Sequence, residues 1–396
     1  MRVLSVLGLL GLSTLCHTSR TIPRQDYDKN DYYVLELDSD TTPAQVASRL
    51  ALTHEGQVGE LSDHHIFSAR KTDIDVVKPA LKQRRQLRKR GIDSYDTLDS
   101  VRFAQKQRLK PKLEKRELRK WPAVPKRQAP GGDKDALARQ QKVADDLLIK
   151  DPIFKDQWHL FNPVELGHDV NVTDVWLQGI TGHNATVAIV DDGLDMYSDD
   201  LKDNYFAEGS YDFNDHDNEP KPELDDDRHG TRCAGEVSAV KNNVCGVGVA
   251  WDSKIAGIRI LSAMISDADE AVAMNYAYQS NQIYSCSWGP PDDGRSMDAP
   301  GILIKRAMLN SVQNGRGGLG SIYVFASGNG ASNDDNCNFD GYTNSIYSIT
   351  VGAIDRKGLH PYYSEPCSAQ LVVTYSSGSG DAIVGPGRLN SRTKLT

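Results

Sequence analysis

The chain has 396 residues, 39% apolar and 25% charged, with 46 Lys and Arg against 54 Asp and Glu and a formal charge of -8. That composition suits a soluble globular protein with room for two or more cored domains, and no segment approaches the roughly 20 consecutive apolar residues of a membrane span. Lys and Arg crowd between Lys82 and Arg127 and Asp between Asp191 and Asp227, giving two regions of opposite sign that attract. The basic stretch lacks interleaved aromatics, which argues against a nucleic-acid partner.

In chain order, Arg2 precedes the apolar run Val3 to Leu12, and small or polar residues then lead to Arg20. This is the build of a secretory signal peptide over residues 1–19. Secretion makes Asn171-Val-Thr173 and Asn184-Ala-Thr186 expected glycosylation sites. With Cys16 in the signal region, Cys233, Cys245, Cys286, Cys337 and Cys367 remain, an odd set for an oxidising compartment.

Residues from about 25 to 90 predict a small α+β unit. Tyr32 to Leu37 reads as a strand, Thr42-Pro43 opens an amphipathic helix to about His54, and His65 to Ser68 follows as a second extended run. From Lys82 the sequence turns polar and basic, with dibasic sites at Arg88-Lys89-Arg90 and Lys126-Arg127 on expected exposed segments. Past Asp151, the apolar runs Thr186–Val190, Lys254–Ile260, Ile283–Ser287 and Ser321–Phe325 alternate with helical stretches near 267–279 and 301–313. Continuous apolar strands alternating with helices predict an α/β domain around a parallel sheet.

Ligand sites in such sheets lie beyond the carboxyl ends of the strands, where Val190-Asp191-Asp192-Gly193 places carboxylates. His229 follows in Asp226-Asp227-Arg228-His229-Gly230, and Asp before His is one of the chain orders of a serine-protease triad.

Together Val187–Gly193, Arg228–Glu236, Ser285–Pro290, Phe325–Gly330 and Asp340–Tyr347 resemble the signature segments of the kexin and furin group of subtilisin-like (peptidase S8) serine proteases, the proprotein convertases. The likeness runs from about Asp151 to Asp381. It implies a parallel sheet flanked by helices, here incomplete, over residues 128–383, preceded by a propeptide over 20–127 that is cut after Lys126-Arg127. Carried onto this sequence, it implies that Asp191 orients the imidazole, His229 is the general base and Asn329 donates to the oxyanion.

Cleavage after Lys-Arg or Arg-Arg needs carboxylates facing two consecutive cationic side chains. The resemblance implies Asp292 and Asp340 for the residue before the cut and Asp192, Asp226 and Asp227 for the one before that, with Ser287, Trp288 and Gly289 also binding substrate. Met264 stands where furin-like members carry an acid, so the expectation is dibasic recognition without a strong third basic requirement.

Calcium is the implied cofactor, a hard cation that takes six to eight oxygens. The implied ligands are Asp151, Asp200, Asn242 and the carbonyls of Val244 and Gly246; then Asp212, Asp217 and Glu219; then Asp335 and Glu365 behind the specificity pocket. The family likeness also pairs Cys337 with Cys367, puts the mate of Cys245 beyond the matching region, and leaves Cys233 and Cys286 as buried thiols near the cleft.

The upstream unit resembles a convertase propeptide, the chain's own inhibitor, with its basic tail in the acidic cleft. His64 and His65 are expected to loosen that hold on acidification, because imidazole charges within the secretory pH range, the alternative being surface histidines without a role. At the other end, Val384 to Thr396 resembles nothing in the family, no Gly-Thr-Ser nucleophile motif occurs, and Ser379 is not its substitute. The chain itself is therefore expected to be inactive and poorly stable, with translated intron from Val384, whose codon begins with the GT of a splice donor. The expected function is a calcium-dependent endopeptidase that cuts dibasic precursors in the late Golgi lumen or after secretion. The alternative is a non-catalytic fragment that binds basic peptides or an intact homologue.

Overall fold

The computed structural model describes residues 21–72, 74–92, 94–117 and 132–378. The signal region with Cys16, the expected processing pair Lys126-Arg127, Ser379 and the 384–396 tail lie outside these residues.

Period-two alternation divides β1 (Asn30–Leu37) between two cores. Tyr33, Leu35 and Leu37 pack with Val46 of α1 (Pro43–Leu50) and Leu81 of α2 (Val77–Lys89), while Tyr32 and Val34 join the core of the second unit. Thr42 starts α1 through a capping box with Gln45, and Ala51 ends it in the left-handed region, so the helix stops short of His54. The chain then enters β2 (Thr53–Val58) and β3 (Leu61–Arg70). With β4 (Val101–Lys106) these strands form an antiparallel sheet in the order β2-β3-β1-β4. The unit thus extends past the expected boundary at residue 90 to β4, and Arg88-Lys89-Arg90 closes helix α2 with all three residues exposed.

After the short strand β5 (Glu114–Lys115), α3 (Lys134–Asp146), capped by Asp133, and α4 (Thr173–Leu177) lead into the second unit. Its strands are β6 (Thr186–Asp191), β7 (Tyr211–Asp212), β8 (Lys254–Arg259), β9 (Ile283–Cys286), β11 (Ile322–Ala326), β12 (Ser348–Ile354) and β13 (Gln370–Tyr375), with β10 (Trp288–Gly289) outside the sheet. All seven run parallel in the order β13-β12-β11-β9-β6-β8-β7. Helices α5 (His229–Ser238), α6 (Asp267–Ala273) and α7 (Ile302–Gly318) flank it. The expected helix over 267–279 ends early, at Ala273, and gives way to turns.

The two units share one apolar core: Val58, Leu61 and Ile66 of the antiparallel sheet cluster with Val272 of α6 and with Leu303 and Ile304 of α7. Parallel strands also bring the ends of β6, β8, β9 and β11 to one edge, where a ligand site is expected.

Candidate active site and substrate cleft

His229 is the first residue of α5 and stands beside the end of β6, its Nδ1 2.8 Å from Asp191 Oδ2 and 2.9 Å from Oδ1. Both side chains are buried. Burial opposes charge on the imidazole, but Asp191, and secondarily Cys233, outweigh it and raise the His229 pKa well above its usual value. Asp192 serves the same helix: Oδ2 accepts from the backbone N–H of Arg228 and His229, and Oδ1 from that of Gly230. A carboxylate just past the end of β6 thus caps α5 where Arg228 offers no side-chain cap.

The cleft holds a basic pair from this chain, Lys115-Arg116. β5 pairs antiparallel with β10, Lys115 opposite Trp288 and Glu114 opposite Gly289, and the Arg116 N–H donates to the Ser287 carbonyl at 2.9 Å. The buried Arg116 guanidinium lies 2.6 Å from Asp340 Oδ2 and 3.5 Å from Asp292, and it donates to the Ala326 carbonyl at the end of β11. Desolvation works against its charge, and Asp340 and then Asp292 outweigh it. A Cβ on Gly289 would come within 2.4 Å of the guanidinium, so the missing side chain makes the pocket. Lys115 Nζ reaches Asp192 at 2.7 Å, Asp227 at 3.4 Å and the Asp226 carbonyl at 2.9 Å. All eight expected substrate residues therefore gather here; Trp288 is fully buried and its indole N–H donates to Val190. Asn329 is half-buried on the loop after β11, its N–H donating to Asp292 at 2.7 Å.

Several contributors escaped the sequence reading. Buried Arg259 at the end of β8 ties Asp227 at 3.0 Å to Asp212 at 2.8 Å and Asp215 at 2.7 Å, which holds Asp227 in place for Lys115. Lys110, six residues before Arg116, ion-pairs with Asp267 and Glu270 at 2.6 Å each, although Met264 nearby is exposed. Glu117 meets Arg228 at 3.2 Å and Arg232 at 3.3 Å. Its approach to the cleft gave no local signal, because Lys115-Arg116 is one basic pair among several.

The reading of the histidines needs correction. His64 is buried, its Nδ1 2.7 Å from Asp63 and its Nε2 2.6 Å from Arg306 of α7. His65 points to His54, and burial, reinforced by His54 and His64, pushes its pKa down to about 4, so it stays neutral across the mildly acidic range.

Of the expected metal ligands, Asp151 accepts from the Asn242 N–H at 3.1 Å and Asp200 from the Asn242 amide at 2.9 Å. The Asn242 side chain turns inward onto the Val244 N–H, and Gly246 lies buried on the same loop. Asp200 Oδ2 is buried without a hydrogen-bond donor, and burial raises Asp151 to about 6; a hard cation suits such a set. Asp335 and Glu365 meet Asp292, with oxygens of all three within 4.8 Å of one another. Burial and then Asp292 push Glu365 up to about 8. Asp292 thus belongs to this carboxylate group as well as to the Arg116 pocket. The second expected set does not assemble through its side chains: Asp212 is committed to Arg259 and to the Asn214 and Asp215 N–H groups, Asp217 accepts from the Glu219 N–H, and Glu219 ion-pairs with Lys221.

Cys337 and Cys367 form a disulfide. Cys286 is buried; Cys233 is only half-buried, its sulfur 3.9 Å from both His229 ring nitrogens; Cys245 is buried and its side chain bonds Asp200. Asn171 and Asn184 are both exposed. Among the described residues no helix is long and apolar enough to cross a membrane.

The subtilase family profile matches residues 182–396. A dibasic-processing endoprotease of Yarrowia lipolytica is 63% identical over 61% of this chain and 25% of its own length. Kexins of Saccharomyces cerevisiae and Candida albicans are 48% and 45% identical over 92% and 96% of this chain and 43% and 42% of their own lengths. The chain therefore spans less than half the length of these relatives. Among solved structures, fervidolysin of Fervidobacterium pennivorans, described as a keratinolytic enzyme related to subtilisin, aligns over 95% of this chain and 52% of its own, with a TM-score of 0.56 at 16% identity, a likeness of fold. On the profile match, the relatives and the parallel-sheet architecture, the chain belongs to the subtilase family of serine-type endopeptidases, within its kexin-type proprotein convertase branch.

Proposed function

We propose that the protein is a calcium-dependent endopeptidase of the secretory pathway that cuts precursor proteins after paired basic residues. The observation that carries this reading is the seating of Lys115-Arg116 against Asp192, Asp227 and Asp340, beside the Asp191–His229 pair. Each cationic side chain meets at least one buried carboxylate, the recognition that a Lys-Arg substrate demands. In this reading Asp191 fixes the imidazole tautomer, His229 would take the proton of a serine nucleophile, for which the sequence offers no Gly-Thr-Ser motif, and the Asn329 amide would steady the oxyanion.

The same contacts support a reading in which the upstream chain through Arg116 acts as the inhibitory propeptide with Arg116-Glu117 as a processing bond, while the expected pair Lys126-Arg127 lies outside the described residues. Calcium would sit with Asp151, Asp200 and Asn242, and with Asp292, Asp335 and Glu365, where it would neutralise carboxylates packed behind the cleft. Asn171 and Asn184 are candidate glycosylation sites on the exposed surface.

A second reading, a non-catalytic binder of basic peptides, rests on one observation: among the described residues, the His229 ring bonds only Asp191 and Cys233. A fluorogenic peptide ending in Lys-Arg separates the two. The product of the gene's complete transcript should hydrolyse it, and Asp191→Asn or calcium chelation should abolish turnover. Binding without hydrolysis would support the second reading, and a transcript that continues past Ile383 without a Gly-Thr-Ser codon run would count against the first.

A further inference from the structure

Among the described residues β4 ends the antiparallel sheet and is paired on one side only, by β1. Beside that edge runs a groove of about 760 Å³ whose other wall is α2. Lys78, Lys82, Arg85 and Lys89 line it at helical spacing, all exposed, and Arg108 extends the basic rim beyond β4. Among the described residues, none of the four helix cations has a carboxylate partner, whereas Arg84 and Arg88 on the neighbouring face share Asp99. Asp75, the acid lining the groove, is occupied by the Val77 and Lys78 N–H groups at the start of α2.

A row of uncompensated cations facing an open strand edge combines two recognition elements. Open edges invite pairing with another chain, and the cations select its charge. The lengths agree: Lys78 to Lys89 covers roughly 16 Å of helix at about 1.5 Å per residue, and five extended residues cover about the same at 3.3 Å each. Such a segment turns alternate side chains to one face, so three acids would meet the helix cations. The apolar floor under them includes Val77, Leu81 and Ala104.

We propose that this groove binds an acidic, extended segment of a partner protein, which adds to β4 as a fifth strand with its acidic side chains toward α2. A sulfated glycan or an anionic membrane would use the cations without the strand edge. The site lies on the upstream unit, apart from the cleft, and so recruits a partner whether or not Lys115-Arg116 occupies the catalytic pockets.

The test is fluorescence anisotropy on the 396-residue chain with a labelled Glu-Val-Glu-Val-Glu-Val peptide. The proposal expects saturable binding that weakens with salt. It also expects at least about tenfold loss in Lys82→Glu/Arg85→Glu, a smaller loss in Lys82→Gln/Arg85→Gln, and loss for the same peptide N-methylated at every residue, which cannot donate to a strand. Thermal unfolding checks that each variant folds, and the Gln variant carries the test if the Glu variant does not. Binding unchanged in the variants, no saturable binding, or equal affinity for the N-methylated peptide or a heparin oligosaccharide overturns the proposal.

Discussion

The Arg116 guanidinium lies 2.6 Å from the Asp340 carboxylate at the bottom of the cleft, so the chain presents its own basic pair to its own acidic pocket. Both groups are buried, and neither can find water if the other is removed. Asp340→Asn should therefore destabilise the chain by about 1–3 kcal/mol, since Arg116 keeps Asp292 at 3.5 Å and the Ala326 carbonyl. Arg116→Met in the same chain should recover most of that. Urea denaturation of the two single variants and the double variant measures the coupling, and additive losses would mean the pair does not interact.

Calcium should stabilise more strongly at high pH. Glu365 has its pKa raised to about 8, above the ordinary 4.5, so the cation-free folded state loses stability as pH rises from about 4.5 through 8, where a third carboxylate must ionise beside Asp292 and Asp335. A bound cation removes that penalty. The gap in Tm between calcium and chelator should be wider at about pH 9 than at about pH 5, and Glu365→Gln should flatten it. An equal gap at both pH values would place calcium elsewhere.

His65 should impose an acid sensitivity that begins near the ordinary histidine range and runs down to about pH 4. Its folded pKa of about 4 lies below the unfolded 6.5, so stability is lost as pH falls through that interval and the folded state resists protonation. Because the ring is partly exposed, solvent screening reduces the loss to on the order of 1 kcal/mol. His65→Leu should remove it, as read by urea midpoints at about pH 7 and pH 4. His64→Leu should instead weaken docking of the antiparallel sheet on α7, because the Nε2 that accepts from Arg306 disappears. A variant at His65 with the wild-type pH profile would contradict the assignment.

Gly328 should tolerate no side chain. It adopts φ of +120°, and a Cβ would stand 2.2 Å from Glu365 Oε1. Gly328→Ala should cost more than about 1 kcal/mol and displace the loop carrying Asn329. Thermal unfolding with and without calcium reads both, since Glu365 belongs to the neighbouring carboxylate group; a neutral substitution would mean the loop is built differently.

Much of the second unit was legible because its signals are local. Apolar runs mark β6, β8, β9 and β11, and Asp191 and His229 sit at an element end where chemistry collects. The contributors that escaped depend on reach. β4 (Val101–Lys106) carries Arg102, Gln105 and Lys106 and has no clear alternation of its own; β1 supplies its partner. The basic pairs at 89–90, 115–116 and 126–127 look alike in sequence, and only the span from the end of β4 to the cleft selects Lys115-Arg116. The family resemblance implied Asp212 as a metal ligand, and its ion pair with buried Arg259 had no local signal because that partner lies on a different strand 47 residues away.

The most direct measurement is whether the cleft holds a Lys-Arg ligand in competition with the chain's own. Anisotropy of a labelled Leu-Glu-Lys-Arg peptide should show little binding to the wild-type chain, saturable binding to Lys115→Ala/Arg116→Ala, and loss of that binding when Asp340→Asn is added. Equal binding to all three chains would contradict the assignment of these pockets to paired basic residues.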